Sequence, residues 1–341
     1  MSKTDETTSI RIATLNLCNY IQPPLACYEY DSIYSQAQWQ QKQQWLATLL
    51  QRYQPDVIGF QEVFSCDALQ QQLRQLGYPH FHVVEQAELI ADYIYQKPVV
   101  AVASRFPISS VAAIQPDEQQ LQSLGWTAFQ FSRHPLRATI RLPTIGPVDF
   151  YVVHLKSQRP ILSDNLPATT SVHQLELQTR TGRWAATVQR GTEAHMLMHA
   201  VAKRRLQHKH PALILGDFNE GISVSHALSI FVSSGAMQPM WTEAHPQHNP
   251  VRLVDSFELY NAKQDQPVPR SPTHYFGSSG SVLDYILVSD EFDSHHPGCL
   301  ADISHYQCID EHLIRPDYTT DSYSSDHAAV MVTLQLRRYS P

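Results

Sequence analysis

The stretch Ala212–Asn219 reads ALILGDFN. Its first four residues are apolar and short enough for a strand buried on both faces, and a glycine, an acid and an amide follow as the strand emerges. Asp56–Val63, DVIGFQEV, has the same character, with Gln61 and Glu62 near its end. What precedes the two strands is also alike. Leu49–Pro55 (LLQRYQP) and Val201–Pro211 (VAKRRLQHKHP) both read as a basic helix end closed by a proline. This echo points to two related β-rich halves, each delivering a carboxylate to a common edge.

Outward from these strands, apolar runs alternate with amphipathic stretches. Strands are expected at Ile10–Leu17, Phe81–Val84, Val99–Ala103, Thr127–Phe131, Leu136–Leu142, Val148–Leu155, Leu253–Leu259, Val282–Val288 and Ala328–Leu336. Helices are expected at Gln36–Tyr53, Ala68–Leu76 and from about Glu193 to His208, which makes an α/β protein. Lys156–Ser171 and Asn261–Gly280 read as long loops, which inside a compact domain are functional or floppy. No linker interrupts the pattern, so residues 1–341 read as one domain, with 1–9 flexible.

The composition excludes several classes. Apolar residues make up 43% of the 341, so the chain is globular rather than disordered. A net charge of −7 means that a phosphate-bearing partner must be held by a local device, such as a metal ion, rather than by a global positive field. No apolar run approaches the roughly 20 residues of a membrane span. Met1–Ser9 lacks the features of a secretory leader, and the five cysteines have no C-x-x-C pair, so a reducing, cytoplasmic setting is expected.

The informative polar residues sit where strands begin or end. Asn16, Glu62 and His154 close strands, Asp217 and Asn219 lie just past one, and Asp284 and the pair Asp326-His327 stand at the start of others. In an all-parallel sheet these fall on opposite edges; in a mixed sheet the end of one strand lies beside the start of its antiparallel neighbour, so all can meet. No G-x-G-x-x-G follows a strand, which also speaks against a dinucleotide-binding sheet. Clustered carboxylates repel unless a cation neutralises them, and oxygen ligands suit Mg2+ or Mn2+. With histidines for proton transfer, such a cluster points to hydrolysis of a phosphate ester. Lys156 and Arg159, just after His154, are placed to meet an anionic substrate. Cys18 reads as a structural thiol, His195 and His199 as a solvated face, and Lys203-Arg204-Arg205 as compensation of a helix dipole.

At these residues the chain resembles the endonuclease/exonuclease/phosphatase superfamily of metal-dependent phosphohydrolases, which includes pancreatic-type deoxyribonucleases, apurinic endonucleases, bacterial sphingomyelinases and inositol polyphosphate 5-phosphatases. The matching motifs are TLN (Thr14–Asn16), QE (Gln61-Glu62), SRHP (Ser132–Pro135), VHL (Val153–Leu155), GDFN (Gly216–Asn219), LDYI (Leu283–Ile286) and SDH (Ser325–His327), in family order. The resemblance implies a four-layer α/β/β/α sandwich of two mixed sheets flanked by helices. It implies Glu62, Asn16 and Asp326 as the magnesium site and Asp217 as the group that orients or deprotonates the attacking water. Asn219 would bond that water or a phosphate oxygen. His327, oriented by Asp284, would stabilise charge on phosphorus, His154 would protonate the leaving oxygen or bind the phosphate, and Arg133 would contact phosphate.

The chain departs from the apurinic endonucleases in two places. Cys18 stands where they carry a second carboxylate, and Gly280, Ser281 and Val282 stand where an aromatic and a basic residue precede their LDY motif. The expected activity is a metal-dependent phosphoesterase with a nuclease favoured. The alternatives are a phosphatase or phosphodiesterase of a small metabolite or lipid head group, and an inactive binding module of the same fold.

Overall fold

The computed structural model describes residues 9–29, 32–90, 92–162, 171–232 and 252–337. The expectation of a flexible N-terminus therefore lies outside the described residues except at Ser9, as do residues 163–170 of the expected Lys156–Ser171 loop.

Two six-stranded mixed sheets carry the fold. The first runs β16 (Ala301–Ile309), β17 (Ala329–Leu336), β1 (Ser9–Tyr20), β3 (Val57–Val63), β7 (Val99–Ser104), β4 (His80–Val83). The second runs β12 (Leu253–Asp255), β15 (Asp284–Ser289), β11 (Ala212–Asp217), β10 (Gly146–His154), β9 (Leu136–Leu142), β8 (Ile108–Ala113). Each sheet has a central parallel pair, β1 with β3 and β10 with β11, and every other pairing is antiparallel. A small sheet joins β2 (Ala26–Cys27), β6 (Ile94–Lys97) and β5 (Glu88–Ile90), and β13 (His274–Phe276) forms a hairpin with β14 (Ser279–Ser281). The helices are α1 (Gln36–Tyr53), α2 (Cys66–Gln75), α3 (Glu118–Ser123), α4 (Val172–His208), α5 (Ser256–Asn261) and α6 (Glu311–Ile314).

Both central sheets are buried on both faces. On β1, Ile10 and Ile12 enter the layer between the sheets, while Ala13, Leu15 and Leu17 face α1 and α2. On β11, Leu213 and Leu215 enter that layer, while Ala212 and Ile214 face α4. Three stacked apolar interfaces result, and they define the four-layer α/β/β/α sandwich. Double burial is why these strands read as continuous apolar runs. The sheets approach closely: a Cβ on Gly59 would stand 2.6 Å from Leu215 Cδ1.

The structure corrects several expected elements. Thr127–Phe131 is no strand; its aromatic residues pack as an irregular segment on the α4 side of the second sheet. The strand expected at Leu253–Leu259 stops after three residues because the Asp255 side chain accepts from Phe257 N and caps α5. Helix α4 begins at Val172 rather than Glu193, with Ser171 and Gln174 forming a capping box. Its first half leaves Val172, Leu177 and Trp184 exposed, so no apolar stripe marked it. Strands β8 and β16 were missed because both lie at sheet edges and mix polar with apolar residues, so neither reads as a buried apolar run. The basic run at the end of α4 is more than dipole compensation. Lys203 pairs with Asp117 (2.9 Å), Arg204 with buried Asp149 (3.0 Å) and buried Arg205 with Glu291 (3.1 Å). His195 and His199 are half-buried rather than on a solvated face.

Candidate active site

Strand parity builds the site. On β10, Val148, Phe150 and Val152 fill the inter-sheet layer, so two residues on His154 takes the same face. The same count carries β11 from Leu215 to Asp217, β15 back from Ile286 to Asp284, and β1 from Ile12 through Thr14 to Asn16. One end of an otherwise apolar layer thus becomes polar. Register aligns the members: His154 is the parallel partner of Asp217, and Asp217 the antiparallel partner of Asp284. Gly216 is required at its place, because a Cβ there would lie 2.0 Å from the Val153 carbonyl oxygen.

Glu62 reaches the cluster by breaking parity. Ile58 and Phe60 on β3 face the helices, so an unbroken strand would send Glu62 the same way. Instead Glu62 adopts a left-handed backbone (φ 58°), within an irregularity in the pairing of β3 with β7. The neighbouring bulge on β1 holds Cys18 and Asn19 in the same region (φ 50° and 62°). Such conformations cost about 1–3 kcal/mol each and persist where the surroundings over-determine them. Here Asn19 N donates to Glu62 Oε2 (3.1 Å), and Asn16 Nδ2 donates both to Glu62 Oε1 (3.4 Å) and to Asp217 Oδ2 (3.1 Å).

Asp217 is the hub of the buried side. Its Oδ2 lies 3.4 Å from His154 Nε2, 3.9 Å from His327 Nε2 and 3.3 Å from Asn219 Nδ2, and its Oδ1 accepts from Asn219 N (2.7 Å). The left-handed backbone of Asn219 (φ 55°) permits that return. Asn219 Nδ2 also donates to Leu155 O (3.0 Å). Burial pushes the Asp217 carboxyl up to about 7. His327 Nδ1 lies 2.8 Å from Asp284 Oδ2. Burial works against the His327 cation, but the Asp284 and Asp217 carboxylates outweigh it and lift it to about 10. His154 is held well below the ordinary imidazole value by burial, with the Arg133 and His327 charges adding, so it is neutral, and its Nδ1 is buried without a partner.

The other side is open. Asp326 is exposed and Glu62 half-buried. Ser325 ties this side to β1: its Oγ donates to Asn16 O (2.6 Å) and accepts from His327 N (2.9 Å). Glu62 and Asp326, with amide oxygens of Asn16 and Asn19, could offer an all-oxygen donor set of the kind that suits a hard divalent ion. Asn19 Oδ1 is buried without a hydrogen-bond partner, as a free ligand oxygen would be. Asn16 Oδ1 meanwhile accepts from Cys18 N (3.0 Å), so Asn16 offers its oxygen to an ion only if the amide turns over. His274, Asp326 and His327 have potential ligand atoms within 4.8 Å of one another, as do Asp217, Asp284 and His327. His274 bridges to His327 through the backbone, their rings 4.9 Å apart. Sequence reasoning missed Asn19 and His274. A second asparagine in the strand carrying Asn16 and a histidine within a long loop were the available signals.

The cationic candidates differ in their freedom. Arg133 is half-buried, with Nε and Nη1 buried and unpartnered, and its charge is felt by His154 and Lys156. Lys156 Nζ is turned into its own loop, donating to Ser157 O (3.1 Å), Ser157 Oγ (3.2 Å) and Arg159 O (3.1 Å). Arg159 is exposed. Buried Glu193 on α4 accepts from Ser132 N (2.7 Å) and Lys156 N (2.6 Å), clamping the two loops together. Nothing marked Glu193, because a lone acid in a helix ordinarily faces water.

A model of the Endonuclease/Exonuclease/phosphatase family matches residues 33–327. The chain belongs to that family. Endonuclease/exonuclease/phosphatase members are hydrolases of phosphoester bonds that typically use divalent metals. Similar solved structures include the human Nocturnin catalytic domain with bound sulfate anion, at 17% identity and TM-score 0.58, covering 97% of this chain and 95% of that one. An AP endonuclease from Archaeoglobus fulgidus matches at 14% identity and TM-score 0.53, covering 96% and 100%. Truncated TDP2 from Caenorhabditis elegans matches at 13% and 0.53, covering 96% and 98%. At these identities the likeness is one of fold. No curated protein sequence matches the chain. Among the described residues no helix is long and apolar enough to cross a membrane.

Proposed function

We propose that the protein is a divalent-metal-dependent phosphoesterase, formed by a single catalytic domain, that hydrolyses its substrate by attack of water, with a nucleic-acid phosphodiester favoured. One observation carries this reading. Buried Asp217 faces His154 and the Asp284-bonded His327, and Arg133, whose charge acts on His154, has two buried unpartnered N–H groups. That combination pairs a base with cationic and N–H donors for an anion.

Glu62 and Asp326, with Asn16 through its oxygen, are the residues that would hold Mg2+ or Mn2+. When bound, the ion supplies Lewis-acid polarisation of the phosphoryl oxygen. Asp217 orients the attacking water and takes its proton, a task suited to a carboxyl raised to about 7. Asn219 fixes Asp217 and bonds the water or a phosphate oxygen. His327, held cationic by Asp284, stabilises charge developing on the phosphoryl group. His154, being neutral, acts as a hydrogen-bond donor to phosphate rather than as a strong acid. Arg133 receives the substrate's phosphate, while Lys156 and Arg159 add positive charge at the mouth. The five unpaired cysteines fit a reducing, cytoplasmic setting.

The test is hydrolysis of bis(4-nitrophenyl) phosphate, single-stranded and duplex DNA, RNA and small phosphate esters, with Mg2+ or Mn2+ and with chelator. Turnover that needs the metal and is fastest on a polynucleotide is expected. Turnover of small esters alone replaces nuclease with phosphatase, and no turnover leaves a binding module.

A further inference from the structure

His312 stands outside the chemistry described above, yet its side chain touches the backbone of His327. Strands β16 and β17 pair as far as Ile309 and Ala329. Two residues further, the same register would set Glu311 opposite His327, but α6 begins at Glu311 and the ladder ends. A side chain takes the next rung. His312 is buried, and its Nε2 lies 3.1 Å from the His327 carbonyl oxygen. A carbonyl only accepts, so that nitrogen carries the proton and donates.

The donor is itself held in place. Buried Trp45 on α1 meets the His312 ring edge-on, with centroids 5.1 Å apart. Arg52, two turns along α1 from Trp45, pairs with the neighbouring Glu311 (2.7 Å), so one face of α1 grips α6 at two points. The peptide unit that joins His327 to Ala328 is then held at both ends, because Ala328 N donates to Thr273 O (2.7 Å). That unit fixes the backbone from which the His327 imidazole reaches Asp284 (2.8 Å) and faces Asp217 (3.9 Å). His312 also forms one wall of a cavity of about 340 Å³ with Trp45, Leu49, Tyr53 and Ile309, rimmed by exposed Arg52 and Glu311.

We propose that His312 is a positioning residue for the reaction: its Nε2–H, backed by Trp45, fixes the His327 peptide and so keeps the His327 imidazole aligned between Asp284 and Asp217. The inference rests on the part given to His327 in phosphoester hydrolysis and adds a hold on that residue from the α1 side. A catalytic group displaced by about 1 Å can lose about a hundredfold in rate.

The experiment compares wild type, His312→Phe, which keeps a ring against Trp45 but has no N–H, and His312→Gln, which restores an N–H at a similar reach. Each is measured for kcat and KM on bis(4-nitrophenyl) phosphate with Mn2+, for Tm, and for the downfield proton resonance of the His327–Asp284 hydrogen bond in chelator. His312→Phe should lose about 10- to 100-fold in kcat with KM unchanged, and its downfield resonance should move or broaden. His312→Gln should keep both near wild type. If His312→Phe only lowers Tm while kcat and the resonance stay, or if His312→Gln is as impaired as His312→Phe, the positioning role is wrong and the hydrolase reading stands. If wild type hydrolyses no phosphoester yet only His312→Phe disturbs the resonance, His312 still positions His327 and the hydrolase reading falls. Should His312→Phe fail to fold, His312→Ala is assayed with added imidazole, which the cavity has room to admit. Recovery of kcat there, and none in His327→Ala, supports the proposal; no recovery overturns it.

Discussion

Strands β3 and β11 are reached by the same route. Helices α1 and α4 each end in a left-handed cap, Gln54 and Lys209, whose N–H returns to Leu50 O and Arg205 O, and a proline follows each cap. A parallel strand then carries a carboxylate to the polar end of the inter-sheet layer. What differs is the last residue. Asp217 keeps strand parity, lies 1% exposed and is enclosed by imidazoles and amides. Glu62 leaves parity through a left-handed backbone and stays half-buried beside exposed Asp326. One plan thus yields a dry carboxyl whose proton affinity is raised and a wetter one free to share its charge with a cation. A single backbone conformation decides between the two outcomes, because it sets which solvent the carboxylate meets.

The contrast is most severely tested by removing each acid. Asp217→Asn and Glu62→Ala should each lower kcat/KM by about 10³- to 10⁴-fold. Only Glu62→Ala should recover in part with millimolar Mn2+, since water can take a ligand's place on the open side. Rescue of both, or of Asp217→Asn alone, would reverse the assignment of the two halves.

A smaller effect lies within the buried half. Asp284→Asn removes a carboxylate that lifts His327 to about 10. The alkaline limb of the pH–rate profile should move to lower pH and kcat should fall about a hundredfold. A folded value raised above the ordinary 6.5 means that the His327 cation stabilises the fold fully below that value and loses its effect as pH rises through about 10. Wild type should accordingly lose stability between pH 7 and 10 more steeply than Asp284→Asn, measured by denaturant unfolding. Parallel curves for the two proteins would remove the ion pair from the account.

The glycines that shape the two halves give the mildest test. Gly216→Ala sets a Cβ 2.0 Å from a backbone oxygen, whereas Gly59→Ala meets the tip of the Leu215 side chain at 2.6 Å. The first should cost about 3 kcal/mol and the second about 1 kcal/mol, because a side chain shifts more readily than a strand. Equal costs in urea titrations would mean that the second sheet yields as easily as its side chains.

Much of this was legible residue by residue. The buried strands announced themselves as apolar runs, and the acids, amides and histidines at their ends marked an edge, because burial on both faces and emergence into a polar layer are local properties. The first half of α4 was not legible, since a helix largely exposed to water needs no apolar stripe. Glu193 and His274 were not legible either, because their surroundings come from other layers.

The sequence by itself determined the order of buried strands, the parity that aims Asn16, His154, Asp217 and Asp284 into one layer, and the family motifs those residues compose. Only the tertiary structure decided that Glu62 joins them against parity and that Ser325 bonds Asn16 across 309 positions of chain. Alternation along a strand is set by neighbouring bonds, whereas register, bulges and contacts between layers depend on which distant surfaces exclude water together.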